Sequence, residues 1–223
     1  MRPTLQIPRL FADAFYLLAH DDVTGRPRQA PRLTHLSMGA SVLAELIFTE
    51  QAFIDAIGVG IYPSAQPTNV AQMTAVEEIA AERTRRRARD WLRHLGPVVT
   101  PLVAQRLERE GYHRLIAPTR IRLFGPYFIA TAPRWQPDNS AYTSATMAHL
   151  NRLLDAEWSI GPHEQALVAL VYATGLNRRV FPYARAWAVN RVLEQASFLG
   201  GGLPQLFDDT RASVASAVAA ATH

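Results

Sequence analysis

The stretch from Leu10 to Leu46 constrains the fold most strongly, because it reads as a helix, a basic loop and a second helix. In its first part, apolar residues recur at the spacing of one helix face: Leu10, Ala14, Leu17 and Leu18. A loop rich in Asp, Gly and Pro follows, with the sequence HDDVTGRPRQAPR. The second helix is largely apolar and ends in LAEL. No acid lies between Asp22 and Glu45, so the loop should form a cationic edge between two helices.

Composition indicates a globular chain with a real hydrophobic core. The 223 residues suit one domain, and 48% of them are hydrophobic. No apolar run is long enough to cross a bilayer, and the first ten residues lack the apolar centre of a signal peptide. The absence of cysteine excludes disulfides and thiolate metal sites. We therefore expect a cytoplasmic protein.

The basic residues are all arginines, since the chain contains 23 of them and no lysine. The net charge is +4, which permits binding to anionic membranes or nucleic acid without requiring it. Arginine can also bind phosphate through two parallel hydrogen bonds. GC-rich codon usage would explain the same bias without any function.

Helical patterns dominate the rest of the chain. A short β-hairpin or an extended stretch is predicted within 52–69. A helix from Val70 that ends at Gly96 and Pro97 should follow, and then a shorter helix that Gly111 closes. Further helices are predicted over 143–158, over 162–176, where the apolar ALVALVYA suggests a central buried helix, and from Phe181 to about Phe198. The fold class is mainly α: a single-domain helical bundle with one or two small β-hairpins. We place the domain at 8–199 and a Gly break with an Ala-rich helical tail at 200–223.

The order of these motifs resembles the Golgi phosphoprotein 3 family of peripheral membrane proteins. The matching elements are YLLAHDDxTG, LxxGAxxLAEL, RLExEG, a β segment and QALVALVYATGL, over roughly 8–194. The acidic N-terminal extension of the eukaryotic members is missing, so we expect the bacterial branch. The resemblance implies a helical domain without enzyme activity.

The resemblance also implies a lipid site, because eukaryotic members bind phosphatidylinositol 4-phosphate in a basic pocket, insert an apolar hairpin into the bilayer and hold glycosyltransferase tails. The pocket arginine at the start of the LAEL helix falls at Gly39, and the pocket tryptophan falls close to Ala30. Two further arginines fall at Pro97 and Thr100. None of the four is kept, so any headgroup site here needs other residues.

Two basic segments are candidates for such a site. The first is the loop, where Arg26, Arg28, Arg32 and His35 lie close to a helix N-terminus that favours phosphate. The second is ERTRRRARDWLR, from which Arg86 and Arg93 are weaker candidates. For both segments the alternative is ordinary solvated arginines.

A predicted two-stranded hairpin around Gly125-Pro126 is the candidate membrane-insertion or self-association element. Its residues are Arg120, Arg122, Leu123, Phe124, Tyr127 and Phe128. The apolar side chains would enter the bilayer and the arginines would stay at headgroup level. The alternative is that these aromatic side chains pack on the bundle or on a partner subunit.

The sequence gives little support for an enzymatic function. His20, Asp21 and Asp22 are consecutive at a helix end and cannot converge on one metal ion, and no glycine pattern matches a nucleotide loop. We therefore predict no catalytic residue, no metal and no cofactor. The favoured function is a reversibly bound adaptor on anionic phospholipid, inositol lipids included, with membrane-enzyme tails or a second copy of the chain as partners. The alternatives are a protein-interaction scaffold without lipid binding and, less favoured, a nucleic-acid-binding helical domain.

Overall fold

A computed structural model describes residues 8, 10–116, 120–124, 127–130, 134–137, 141–155 and 160–221, with only the backbone of the strands between 114 and 137. The mainly α fold class is confirmed. The helices of this part are α1 (Phe11–Ala19), α2 (Pro31–Phe48), α3 (Val70–Ala81), α4 (Ala88–Arg109), α5 (Ala141–Asp155), α6 (Pro162–Ala173), α7 (Asn177–Val180), α8 (Ala186–Ala196) and α9 (Leu203–Ala219). The strands are β1 (Ala52–Ile54), β2 (Val59–Ile61), β3 (His113–Ile116), β4 (Arg120–Phe124), β5 (Tyr127–Ala130) and β6 (Arg134–Pro137).

Helix α2 forms the centre of the bundle and packs on α1, α4 and α9. Every residue from Leu36 to Ile47 is buried, which small residues such as Ala40 and Ala44 permit because they let neighbouring helices approach from all sides. Helix α6 is also buried, from Ala166 to Val171, as its apolar sequence predicts. Two helices that are apolar all round thus share the core.

Helix α4 contradicts the predicted break at Gly96-Pro97, because it runs unbroken from residue 88 to 109. Gly96 does not end the helix; it makes room for α2, since a Cβ atom there would overlap the backbone carbonyl of His35. Gly39 does the same from the other side, where a Cβ would lie 2.8 Å from the Leu92 carbonyl oxygen. The break falls earlier, where Glu82 leaves the helical conformation and an arginine-rich link leads to α4.

Both predicted hairpins are present as antiparallel strand pairs. Strand β1 pairs with β2, with Ala52 opposite Ile61. Strand β4 pairs with β5, with Arg122 opposite Phe128, and the Gly125-Pro126 tip lies outside the described residues. A further pair, β3 with β6, was not predicted. The β4–β5 hairpin lies between its two strands in the sequence, so no turn residues next to the strands could have predicted their pairing.

The C-terminal part differs from the prediction at one boundary. The helix expected from Phe181 begins at Ala186, because Pro182 and Tyr183 form a turn after α7. Helix α9 packs on α2, α4 and α6, and it adds Leu203, Leu206 and Phe207 to the core.

Glu45, the acid of the LAEL sequence, is buried and fully engaged. Its carboxylate accepts hydrogen bonds from the Ala12 backbone N–H at 2.8 Å, the Gln72 amide at 2.7 Å and the Asn69 amide at 3.2 Å. These donors come from α1, α3 and the N-cap of α3, so one carboxylate joins two helices to α2. Its role is structural, since a buried charge is tolerated only when it is hydrogen-bonded in this way.

Candidate functional site

The loop between α1 and α2 is an ordered turn. Asp21 accepts hydrogen bonds from the backbone N–H and the hydroxyl of Thr24, both at 2.8 Å, and these bonds lower the pKa of its carboxyl. Gly25 adopts φ 66°, a left-handed conformation that favours glycine. The chain then returns alongside α1, where the Arg28 N–H donates to the Ala19 carbonyl at 2.8 Å. The loop therefore has one defined shape.

Arg28 is turned inward by this loop. Its Nε donates to the His20 carbonyl at 3.0 Å, and its terminal nitrogens lie 3.8 Å from Asp21 and 3.6 Å from Asp22. Only 14% of its side chain is exposed. Of the predicted loop arginines, Arg28 thus closes the C-terminal end of α1, whereas Arg26 and Arg32 are exposed.

An open groove lies where α2 crosses α4. Its volume is about 360 Å³, and it is lined by Arg32, His35, Leu36, Leu92, Arg93 and Pro97. A second cavity of about 250 Å³ shares Arg32, Leu36 and Arg93 and adds Arg89, Asp90 and small residues of α9. Because three residues line both cavities, the two adjoin each other, and together we call them the arginine groove.

Electrostatics make the arginine groove suitable for an anion. Its lining contains Arg32, Arg89 and Arg93 and one acid, Asp90, which binds Arg93 at 2.9 Å in an exposed ion pair. Asp209 of α9, outside the lining, also interacts electrostatically with Arg89. The Arg32 side chain makes no hydrogen bond or ion pair with any residue in the described part of the chain. Ala30, the N-cap of α2, offers no side-chain cap to the first amides of the helix, one turn from the groove. Phosphate is the class of ligand that such an arrangement favours.

The structure thus brings together three of the six predicted headgroup residues: Arg32, His35 and Arg93. Arg86 lies elsewhere, paired with Glu82 and placed 5.8 Å from the Trp91 ring centroid. Arg89 was missed as a site residue. The signal for it was available, since Arg89, Arg93 and Pro97 are spaced by four, but it applies only if one helix runs through Gly96.

The six predicted hairpin residues lie in the β4–β5 ribbon, with Phe124 opposite Tyr127 and a bulge between Arg122 and Phe124. The ribbon continues the chain from β3, whose first residue, His113, packs 5.3 Å from the Tyr16 ring. Tyr16 in turn stacks on His20 at 3.9 Å, directly before the loop. Strand β3 therefore begins at the loop end of α1. Insertion of the hairpin side chains into a bilayer stays a prediction.

The described residues contain neither a metal-binding cluster nor a helix that could span a membrane. No group of three or more His, Asp or Glu side chains is arranged to hold a metal ion there. Nor does any helix of the described segments combine the length and hydropathy needed to cross a membrane.

The described part of the chain is a helical bundle with an arginine-lined groove between α2, α4 and α9. The chain belongs to the Golgi phosphoprotein 3 family, because the sequence profile described as Golgi phosphoprotein 3 (GPP34) matches residues 11–221. The family resemblance read from the motifs is thereby confirmed. The family is one of non-enzymatic adaptors. A search of curated proteins finds no significant match.

Two positions that the family resemblance maps to headgroup arginines can be compared with the groove. Pro97 lines it, and Pro97 is a position where the resemblance places one of the family's headgroup arginines. Gly39, the position of another, faces the α4 backbone and leaves no room for an arginine side chain. The groove therefore includes one of these two positions and not the other.

Proposed function

We propose that this protein is a peripheral adaptor that binds anionic phospholipid through the arginine groove. The observation that carries the proposal is the convergence of Arg32, Arg89 and Arg93, from two helices, around a depression that also includes Pro97. Arg32 and Arg93 would contact the headgroup phosphate directly, with His35 as a further donor. Inositol phospholipids are the preferred class because their additional phosphates could engage all three arginines.

The expected affinity is modest. Each arginine near an anionic surface contributes about 1 kcal/mol, so the groove alone gives weak and salt-sensitive binding. The β4–β5 hairpin would supply the rest by inserting Leu123, Phe124, Tyr127 and Phe128 at the bilayer surface. Bound on the cytoplasmic face of a membrane, the protein would recruit membrane-enzyme tails or other partners there.

Liposome co-sedimentation tests the proposal, with neutral, generally anionic and inositol-phospholipid vesicles at low and physiological salt. The test variant is Arg32→Gln/Arg93→Gln. The matched control is Arg83→Gln/Arg211→Gln, because Arg83 is exposed and makes no described ion pair, as Arg32 does, and Arg211 pairs with Asp208 three residues away, as Arg93 pairs with Asp90.

We expect binding to anionic vesicles that the groove variant loses by tenfold or more and that the control retains. Equal losses in the two variants would show that binding depends on the overall positive charge of the protein and not on the groove. Absence of binding to any vesicle would contradict lipid recognition and favour a scaffold that binds proteins only.

A further inference from the structure

A second exposed surface, formed by α7 and the start of α8, combines arginines with aromatic side chains. We call it the α7–α8 surface and define it by Arg178, Arg179, Tyr183, Arg185 and Trp187. Tyr183 is 92% exposed and Trp187 is 49% exposed. The three arginines are exposed as well. Single exposed apolar residues are common, but two neighbouring aromatic residues among arginines call for an explanation.

The inward face of the same segment is well packed, so the exposure does not reflect a loose helix. Val180, Phe181, Ala188 and Val189 are buried between these exposed residues. The Asn151 amide donates to the Val180 carbonyl at 3.3 Å and ties α7 to α5. The α7–α8 surface is therefore a rigid platform.

The platform is strongly basic. From Thr174 to Phe207 the chain has four arginines and one acid, Glu194. Arg178, Arg179 and Arg185 make no ion pair with any residue that the structure describes. The Arg191 guanidinium lies 5.4 Å from the Trp187 ring centroid, in a cation–π contact with the indole. The surface thus presents the positive charge of Arg178, Arg179 and Arg185 beside an exposed aromatic ring.

The α7–α8 surface lies at the same end of the bundle as the basic loop. Gln29, directly before α2, donates its amide to the Thr174 carbonyl at the end of α6, with a distance of 2.6 Å. Helix α8 runs back along α6, since Gln195 near its end accepts from Gln165 near the start of α6. The start of α8 therefore lies beside the end of α6, at the end of the bundle where α2 begins.

We propose that the α7–α8 surface is a second membrane contact, in which Tyr183 and Trp187 lie at headgroup level and the three arginines bind lipid phosphates. The inference rests on the proposed function and extends it from one groove to a whole end of the bundle. Tyr and Trp favour the interface between water and hydrocarbon, because each combines an apolar ring with a polar group. Three arginines at such a surface favour an anionic leaflet.

A probe at Tyr183 tests direct contact, since the chain contains no cysteine and a single introduced one can be labelled selectively. We compare Tyr183→Cys and Phe198→Cys, each carrying an environment-sensitive dye, on vesicles of phosphatidylcholine with 30% phosphatidylserine. Phe198 is 82% exposed and lies beyond the other end of α8. We expect a blue-shifted emission at position 183 and none at 198. Equal behaviour of the two probes, while the protein is bound, would overturn the inference.

Loss of binding provides a second measurement. We expect Tyr183→Ser/Trp187→Ser to weaken vesicle binding about tenfold, and the control Phe198→Ser/Ile57→Ser, also at two exposed apolar positions, to leave it unchanged. Wild-type binding that the Arg32→Gln/Arg93→Gln variant loses but the Tyr183→Ser/Trp187→Ser variant keeps would overturn only the second contact. No wild-type binding at all would overturn both proposals. Binding of a single-stranded oligonucleotide instead, abolished by the same serine variant, would assign the surface to nucleic acid.

Discussion

Arg106 of α4 binds the Asp13 carboxylate of α1 inside the core, with Nε at 2.9 Å and a terminal nitrogen at 2.6 Å from the same oxygen. Both side chains are almost completely buried. Burial raises the pKa of Asp13 to about 7, and the guanidinium opposes that rise. The pair joins the two helices whose ends carry the basic loop and the hairpin.

Removal of the Arg106 side-chain charge should therefore destabilise the domain strongly. For Arg106→Met we expect a loss of about 3–5 kcal/mol in the free energy of unfolding, because the buried Asp13 carboxyl loses its charged hydrogen-bond partner and must either stay charged without one or take up a proton. Urea denaturation at pH 7 measures it. The double variant Asp13→Leu/Arg106→Met should recover most of the loss, and a double variant as unstable as the single one would contradict this account.

The close crossing of α2 and α4 makes Gly96 irreplaceable. Gly96→Ala should cost about 3 kcal/mol or more, because the new methyl group meets the His35 backbone and the two helices must separate. Gly200→Ala is the control, since nothing lies within 4 Å of a Cβ there. Thermal unfolding of both variants measures the two losses of stability. A Gly96→Ala protein as stable as the control would show that the helices are less tightly packed than described.

His20 should make the domain sensitive to acid. Burial lowers the pKa of His20 from 6.5 to about 4; the hydrogen bond to the Tyr16 carbonyl opposes this, and His113 and Arg28 reinforce it. Between pH 6.5 and 4 the unfolded chain therefore binds more protons, and stability falls as pH falls through that window. A shift of this size corresponds to roughly 3 kcal/mol.

Urea midpoints from pH 7 to pH 4 test the prediction in wild type and His20→Asn, which keeps a donor for Tyr16. Asp13, whose pKa is raised from 3.8 to about 7, has the opposite effect over this range, but it is present in both proteins and cancels in their difference. The exposed His94→Asn serves as the control. Identical slopes for wild type and His20→Asn would contradict the assignment.

Of the two positions compared above, an arginine can be introduced at position 97, which lines the groove, but not at position 39. Pro97→Arg should raise affinity for anionic vesicles about fivefold, since position 97 is exposed, lines the groove and gains about 1 kcal/mol per added charge. Gly39→Arg should unfold the domain, because it faces the α4 backbone. Co-sedimentation and thermal melting of the two variants measure these effects, and a folded Gly39→Arg protein would refute the described crossing.

The local sequence determined the kind of structure this chain forms. The apolar periodicity around Leu17 and the continuous apolarity of ALVALVYA predicted helices and their burial, because a helix repeats every 3.6 residues whatever surrounds it. Turn residues likewise predicted the β1–β2 and β4–β5 hairpins. The same local rules failed at Gly96-Pro97, where glycine serves a contact with a helix some sixty positions away in the chain.

Only the tertiary structure decided which arginines are available to a ligand. Arg28 and Arg32 look equivalent in the sequence, yet packing turns Arg28 onto the His20 carbonyl and leaves Arg32 open beside Arg93. Tyr183 and Trp187 could have been core residues by composition, and only the way α7 and α8 lie on α5 and α6 exposes them. Periodicity is written in neighbouring residues, whereas a binding surface depends on side chains brought together from distant segments.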